Sequence, residues 1–190
     1  MKRRYLTHHE VLLIMKATSF CQHEIRDRCM VLMCYIHGLR VSELTGLKIS
    51  DIDLITGAIY MRRLKKGLNT MHPLQATEIT LLKEWLSIRN KYRKNSNPDW
   101  LFLSASGTRL TRQSFYKMLR KYAILAGLPV PANPHMLRHA CGFSLADQGM
   151  DTRLIQDYLG HRNIRHTVHY TSTNAARFSR AWEKTQLYEC

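Results

Sequence analysis

The sequence predicts an α+β fold that is mainly helical and contains one small antiparallel sheet. Most of the chain consists of segments in which apolar residues recur at helical spacing, between capping residues and glycines. The exception is residues 48–75, where short apolar runs flank two glycine-containing turn signals. About 45% of the residues are apolar, which is enough to form a core, and the 190 residues suit a single domain over 1–190.

The N-terminal part predicts two helices. Thr7 is a candidate N-cap, because Glu10 follows three residues later as in a capping box and an apolar run comes next. A second helix is expected from about Glu24 to His37. It is apolar on most faces and should therefore be buried. Gly38 interrupts it.

A sheet of two or three antiparallel strands is expected next. Thr56-Gly57 separates two apolar runs, and Lys66-Gly67 precedes a third. A helix should then begin at Thr77 and end near Tyr92.

The rest of the chain predicts a succession of helices. Thr111 caps a helix from Arg112 to about Ala126, which Gly127 ends. Three prolines between residues 129 and 134 indicate a stiff connection. Further helices are expected over 135–148, 152–160, 165–172 and 175–187.

The charge balance indicates a polyanionic partner. The chain has 29 Lys and Arg against 14 Asp and Glu, a net charge of +15, and both halves are basic. A folded body with this excess attracts nucleic acid.

The cysteines and the hydropathy pattern are typical of a cytoplasmic protein without a membrane span. The five cysteines are an odd number without a Cys-x-x-Cys pair, which favours a reducing compartment. No run of 18 apolar residues and no secretory signal is present. His135 and His139 stand four residues apart, but nothing completes a zinc pattern, so no metal is predicted.

Several polar residues stand where a core pattern would place apolar ones. Buried polar and charged groups need partners or a ligand, so such residues are candidates for a site. Each of them alone is more often structural, and their order along the chain carries the information. In that order they are Arg40, Glu43, His135, Arg138, His139, His161 and Tyr170.

This order resembles the catalytic pattern of the tyrosine recombinase (phage integrase) family, and the resemblance extends from about Leu6 to about Thr173. The family pattern has an arginine, a hairpin lysine before a glycine, His-x-x-Arg, a histidine or tryptophan, and a tyrosine. Lys66 before Gly67 matches the lysine, and Lys65 is the competing assignment. The resemblance implies the fold of that family's catalytic domain and the catalytic set Arg40, Lys66, His135, Arg138, His161 and Tyr170.

The resemblance also implies cleavage and rejoining of DNA through a 3′-phosphotyrosyl intermediate. Tyr170 would attack phosphorus and Lys66 would protonate the leaving 5′-oxygen, while the two arginines and the second histidine stabilise the phosphate charge. His135 would accept the phenol proton or position the phosphate. Glu43, three residues after Arg40, could hold Arg40 or His135 in place. No metal, ATP or other cofactor is implied.

The chain is short for this family, since most members carry an additional N-terminal domain that clamps the other face of DNA. This short length resembles that of the small bacterial recombinases that invert fimbrial promoter segments. The sequences of residues 62–74 and 133–139 are also similar to theirs. The resemblance implies inverted-repeat DNA as the partner and a homotetramer on paired sites. It leaves open whether DNA-bending accessory proteins take part, and whether the tail of about 175–190 packs on a neighbouring protomer or on its own core.

Further DNA contacts are expected from basic residues, since phosphate contacts need only charge. Arg112 and Gln113, at the start of a basic helix, are candidates for groove contact. Two alternatives stay open: a type IB topoisomerase and a non-catalytic DNA-binding regulator with the same fold. The remaining contact candidates flank the hairpin or lie on the exposed face of the basic helix, namely Arg62, Arg63, Lys65, Lys117, Arg120 and Lys121.

Overall fold

The computed structural model describes residues 3–64, 67–93 and 99–172, and it confirms the mainly helical α+β class. The tail helix expected over 175–187 lies outside these residues. The described helices are α1 His8–Ala17, α2 Glu24–Ile36, α3 Val41–Leu44, α4 Ala76–Arg89, α5 Arg112–Leu125, α6 Pro134–Asp147, α7 Thr152–Leu159 and α8 Arg165–Ser172. The strands are β1 Ile52–Asp53, β2 Ala58–Met61 and β3 Thr70–Pro73.

Two helices begin at the caps that the sequence predicts. Thr7 Oγ1 accepts a hydrogen bond from the Glu10 backbone N–H at 3.2 Å, and Glu10 Oε2 accepts one from the Thr7 N–H at 2.8 Å. Thr111 Oγ1 accepts from the Ser114 N–H at 3.0 Å. Each cap satisfies backbone donors that the first helical turn leaves unpaired, which fixes where α1 and α5 start.

The boundaries of α4 differ from the prediction at both ends. The helix begins one residue before Thr77, because Gln75 is its N-cap and Glu78 accepts the Gln75 N–H at 3.0 Å. Its α-helical part ends at Arg89, and residues 90–92 form a 3₁₀ turn. The expected extent to Tyr92 is therefore helical but not wholly α-helical.

The sheet is antiparallel with the strand order β1-β2-β3. Ile59 of β2 pairs with Ile52 of β1 and with His72 of β3. Side chains on β2 alternate in burial, with Ile59 and Met61 buried and Tyr60 exposed. One face of the β2–β3 hairpin thus packs on the helical body, and residues 62–64 after β2 lead toward the ends of α2 and α7, where Arg63 donates to the carbonyls of His37 and Tyr158.

The apolar residues form two clusters. The larger one joins α1, α2, α4, α5 and α6 with the sheet, around large buried side chains such as Trp85, Tyr122 and Phe115. The smaller one lies between α6, α7 and α8 and includes Ile155, Leu159 and Tyr170. None of the described helices combines the length and the apolar character that a membrane crossing requires.

Candidate active site

Five of the six residues predicted to be catalytic line one open cleft of about 1030 Å³. They arrive from four places in the chain: the start of α3, the first turns of α6, the end of α7 and the middle of α8. The cleft is strongly basic, because the described residues that line it include five arginines and no carboxylate. Its lining is Arg40, Gly67, His135, Arg138, His139, Arg153, Gln156, Gly160, His161, Arg162, Asn163, Ile164, Arg165, His166, His169 and Tyr170.

Arg40 is held by the carboxylate of Glu43. The Arg40 backbone N–H donates to Glu43 Oε2 at 2.9 Å, and Arg40 Nη1 donates to Oε1 at 2.7 Å. Burial alone would raise the pKa of Glu43, but the Arg40 N–H and the guanidiniums of Arg63 and Arg40 together hold it below its usual value. Glu43 is therefore a carboxylate, and of the two roles predicted for it the structure shows the contact with Arg40.

Arg138 is buried and fixed at both of its terminal nitrogens. Nη1 donates to the carbonyl of Gly38, and Nη2 donates to the carbonyl of Leu159 at 2.8 Å. Burial lowers the pKa of Arg138 to about 10, and the like charges of Arg40 and Arg63 add to this effect, so the side chain remains a cation at neutral pH. A cation whose orientation is set by two carbonyls is preorganised to receive an anion.

The two predicted catalytic histidines differ in environment. His161 is buried next to Gly160, and its Nδ1 lies 2.9 Å from Thr167 Oγ1. Burial lowers the pKa of His161 to about 3, with further repulsion from Arg138 and Arg40, so the ring is neutral at physiological pH. His135 is exposed in the first turn of α6, at the rim of the cleft.

Tyr170 is only 1% exposed, yet it borders the cleft. Its phenol oxygen lies 2.9 Å from Nδ1 of His139, and its ring is stacked with that of His161 at 6.5 Å between centroids. Burial raises the pKa of Tyr170 to about 12, against the opposing effect of Arg138 and Arg40. With this pKa the phenol keeps its proton at neutral pH, and its burial shields it from bulk water.

Lys66 and Lys65 lie outside the described residues, so the choice between them stays a prediction. Their neighbour Gly67 lines the cleft, which is where the predicted role of a hairpin lysine requires the chain to be. The tail of about 175–190 is also outside the described part of the chain.

Arg63, which is predicted to contact DNA, is buried in this structure. Its side chain is 0% exposed, and it is enclosed by parts of the fold that are distant in sequence. Nη1 donates to Glu43 Oε2 at 3.2 Å, while Nη2 donates to the carbonyl oxygens of His37 at 3.1 Å and Tyr158 at 2.7 Å. Arg63 is thus a structural cation that joins the hairpin to α2, α3 and α7 directly behind the active site.

A sequence signal for this burial exists in the strand periodicity. Ile59, Met61 and Arg63 alternate with exposed residues, so Arg63 continues the inward face of β2 beyond the end of the strand. Arg62 points outward by the same rule, and its guanidinium binds Asp51 Oδ1 at 2.7 Å and 2.8 Å. Arg62 remains available as a predicted DNA contact because more than half of its side chain is exposed.

The tight packing around Arg63 gives a stability prediction. Gly160 and Gly127 both follow a helix with φ at +65°, but a Cβ added at Gly160 would lie 2.8 Å from Arg63 Cγ, whereas one at Gly127 would have no atom within 4 Å. Gly127→Ala should cost about 1–2 kcal/mol from backbone strain alone. Gly160→Ala should cost about 1–3 kcal/mol more, since strain and overpacking add. Urea unfolding of both variants measures the difference. Equal losses of unfolding free energy would show that the Arg63 side chain can move aside at no energetic cost.

The predicted contact residues on α5 are all exposed. Arg112 and Gln113 line a second cavity of about 530 Å³ that also includes His135, so this helix start adjoins the active-site cleft. Lys117, Arg120 and Lys121 follow on the solvent side of the helix. Their accessibility fits a contact with phosphates, which stays a prediction.

The sequence assigned no catalytic role to several polar residues that line the cleft. Among them are Arg153 on α7, Arg162 in the loop after His161 and Arg165 at the start of α8. His139, directly after Arg138, contacts the Tyr170 hydroxyl. A signal was present for Arg162 and Arg165, since basic residues beside a predicted phosphate site add to its charge, whereas the His139 contact depends on how α6 packs against α8.

Comparison with known proteins gives consistent relatives. FimB of Escherichia coli K12, a type 1 fimbriae regulatory protein, is 52% identical over 185 residues, which cover 97% of this chain and 92% of FimB. FimE of the same strain is 50% identical over 186 residues, covering 98% and 94%. The structure of the XerH site-specific recombinase bound to a palindromic difH substrate matches with a TM-score of 0.76 and 28% identity. It covers 95% of this chain and 53%, about half, of XerH.

The family assignment follows from the sequence and the fold together. Residues 4–177 match the phage integrase family, which is nearly the whole chain. The structural match places the same family's fold around the cleft described above. The chain therefore belongs to the phage integrase family, the tyrosine recombinases, as the order of its polar residues predicts.

Proposed function

We propose that this protein is a site-specific recombinase that inverts a promoter segment controlling fimbrial genes. The observation that carries the proposal is the single cleft in which Arg40, Arg138, His161 and Tyr170 meet. The similarity to FimB and FimE, which are named type 1 fimbriae regulatory proteins, supports the fimbrial target.

In the proposed cleavage step, Tyr170 Oη attacks a DNA phosphorus atom. The new O–P bond replaces the bond to the 5′-oxygen, which leaves as a 5′-hydroxyl. The phenol gives its proton to His135, and the leaving oxygen takes one from Lys66. The 5′-hydroxyl of a partner strand then attacks the phosphotyrosine in the reverse sense. Because the covalent bond keeps the energy of the broken phosphodiester, the exchange needs no nucleotide cofactor.

The cleft provides the positive charge that stabilises the negatively charged transition state. Planar guanidiniums such as Arg40 and Arg138 bind phosphate oxygens through two parallel hydrogen bonds and are always charged. Arg138 is oriented by the Gly38 and Leu159 carbonyls before DNA arrives, so little reorganisation opposes the reaction. The neutral ring of His161, with Nδ1 engaged by Thr167, leaves Nε2 for a further hydrogen bond to the phosphate.

The proposed substrate is double-stranded DNA at inverted repeats, on which four protomers act at two paired sites. The match to FimB over 92% of its length supports a single catalytic domain over residues 1–190. The free thiols of the four described cysteines support a reducing compartment, the bacterial cytoplasm, where nucleoid DNA is accessible.

The test is inversion of a plasmid segment flanked by the inverted repeats that lie next to the fimbrial operon. A restriction digest distinguishes the two orientations, with and without a purified DNA-bending protein. We expect orientation switching that depends on both repeats. Relaxation of supercoils without switching would indicate the type IB topoisomerase alternative, and binding without any covalent adduct would indicate a non-catalytic regulator.

A second prediction concerns the salt dependence of binding. The observed association constant falls with salt by a slope of about 0.9 per phosphate contact in a log–log plot. Replacing Lys117 and Arg120 together by Gln should flatten this slope by about 2, because both side chains are exposed on the basic face of α5. Lys83→Gln, on the exposed side of α4, is the matched control and should leave the slope unchanged. Equal slopes for all three proteins would exclude α5 as a contact surface.

A further inference from the structure

The phenol oxygen of Tyr170 has one hydrogen-bond partner among the described residues, and it is a histidine outside the family's catalytic pattern. His139 Nδ1 lies 2.9 Å from Tyr170 Oη. The pattern His-x-x-Arg ends at Arg138, so the residue directly after it carries no role in that scheme. His139 nevertheless lines the same cleft and touches the atom that would form the bond to phosphorus.

One face of α6 is shaped to receive this phenol. His139 and Gly142 stand three residues apart and therefore on neighbouring positions of the same face. A Cβ at Gly142 would lie 2.5 Å from Cζ of Tyr170, so the ring rests on helix backbone where only glycine leaves room. The Phe143 ring meets the Tyr170 ring edge-on, with centroids 5.1 Å apart. Packing thus confines the ring along α6, and His139 contacts the oxygen at its end.

The protonation states of the two groups agree with a bond donated by the phenol. Burial lowers the pKa of His139 to about 4, and the nearby His169, His135, Arg138 and Arg4 lower it further, so the imidazole is neutral. Burial raises the pKa of Tyr170 to about 12, so the phenol keeps its proton in the absence of DNA. A neutral imidazole has one acceptor nitrogen, and in the tautomer that carries its proton on Nε2 this is Nδ1, the nitrogen 2.9 Å from the phenol oxygen.

We infer that His139 is a positioning residue for Tyr170, which fixes the phenol oxygen at the wall of the cleft by accepting its hydrogen bond. The inference rests on the proposed role of Tyr170 as nucleophile. In-line attack requires reacting atoms about 3–3.5 Å apart with aligned orbitals, and a misplacement of about 1 Å costs roughly 10²-fold in rate. Without this bond, the ring keeps its packing against Gly142 and Phe143, but its oxygen loses the contact that holds it in place.

The test measures single-turnover formation of the covalent protein–DNA adduct on a nicked duplex that carries the recombination site. His139→Ala should slow adduct formation by roughly 10²-fold without weakening DNA binding. His139→Asn should recover most of the rate, since its Oδ1 occupies nearly the position of Nδ1 and accepts the same hydrogen bond. Recovery by Asn is a result that a purely structural role of the imidazole would not give.

The chain provides a matched control for the loss of a partly buried histidine–tyrosine bond. His23 Nδ1 and Tyr92 Oη also lie 2.9 Å apart, at the start of α2 and outside the cleft. His23→Ala should therefore leave the adduct rate unchanged, with a melting temperature lowered about as much as in His139→Ala. If His139→Ala proves too unstable to assay, the comparison of His139→Asn with His139→Leu decides between an acceptor and a space-filling side chain.

Three outcomes would overturn the inference. His139→Ala at the wild-type rate would show that packing alone positions the phenol. His139→Asn as slow as a folded His139→Ala would show that the imidazole acts by another property than accepting this bond. Absence of an adduct with the wild-type protein would instead remove the proposed function itself, and the inference with it.

Discussion

Replacing Tyr170 by Phe is expected to abolish the covalent adduct with DNA, a loss of roughly 10⁴-fold or more in cleavage, because the only atom removed is the nucleophile. The fold should persist. The ring is buried against Gly142 and Phe143, and these contacts do not involve the hydroxyl. Losing the bond to His139 should cost only about 1 kcal/mol of unfolding free energy.

A denaturing gel after incubation with a nicked site detects the adduct, and a mobility shift on the same duplex measures binding. Tyr158→Phe is the matched control, since Tyr158 is another tyrosine packed against the small cluster of α6–α8 and its Oη donates to the carbonyl of Ile36 at 3.0 Å. We expect Tyr158→Phe to form the adduct and Tyr170→Phe to bind DNA without forming it. An adduct with Tyr170→Phe would mean that another residue is the nucleophile.

Local chemistry explains why most of the fold could be predicted from the sequence. Thr7 with Glu10, and Thr111, are capping residues whose bonds are made within one turn, so their effect does not depend on the rest of the chain. The sheet follows from turn signals of the same local kind, with β2 and β3 folded back on each other. The helix α4 begins at Ala76 and not at the expected Thr77, because Gln75 is its N-cap and Glu78 accepts the Gln75 N–H.

Only part of the site could be predicted from the sequence, because some of its contacts depend on tertiary packing. Arg40, Arg138, His161 and Tyr170 could be found because their order along the chain matches a known catalytic pattern. The burial of Arg63 could not be read from charge alone, because its partners lie 20 to 95 residues away in the chain. The His139 contact likewise depends on α6 packing against α8, a property of tertiary structure rather than of spacing.

The largest predicted loss of stability comes from the carboxylate of Glu43. It is the anion beside Arg40 and Arg63, at 2.7 Å and 3.2 Å, and it lies 4.0 Å from Arg138. Glu43→Gln keeps the shape of the side chain but leaves the fully buried guanidinium of Arg63 without a counter-charge. Breaking a buried pair from one side costs about 3–5 kcal/mol, which is a large part of the 5–15 kcal/mol that stabilises a typical domain.

Glu43→Gln should also change how the stability of the protein depends on pH. The folded pKa of Glu43 lies below its usual value of 4.5, so the carboxylate contributes stability above about pH 4.5 and loses it as the pH falls through the folded pKa. The free energy of unfolding of the wild-type protein, measured with urea, should therefore fall on acidification below pH 4.5. Glu43→Gln should lack the part of this fall that comes from Glu43. Glu84→Gln, an exposed carboxylate on α4, is the control and should stay within about 0.5 kcal/mol of the wild type.

A double variant separates the charge from the packing. Arg63→Met alone removes the cation and leaves Glu43 with Arg40, while Arg63→Met together with Glu43→Gln removes both buried charges of the pair. If the buried cation causes the loss, the double variant should be more stable than the sum of the two single changes predicts, by about 1–3 kcal/mol. Strict additivity would mean that Glu43 stabilises the fold through its bonds to Arg40 and not by compensating Arg63. Additivity would therefore mean that Glu43 acts mainly by orienting Arg40 in the cleft, and not by neutralising Arg63 behind it.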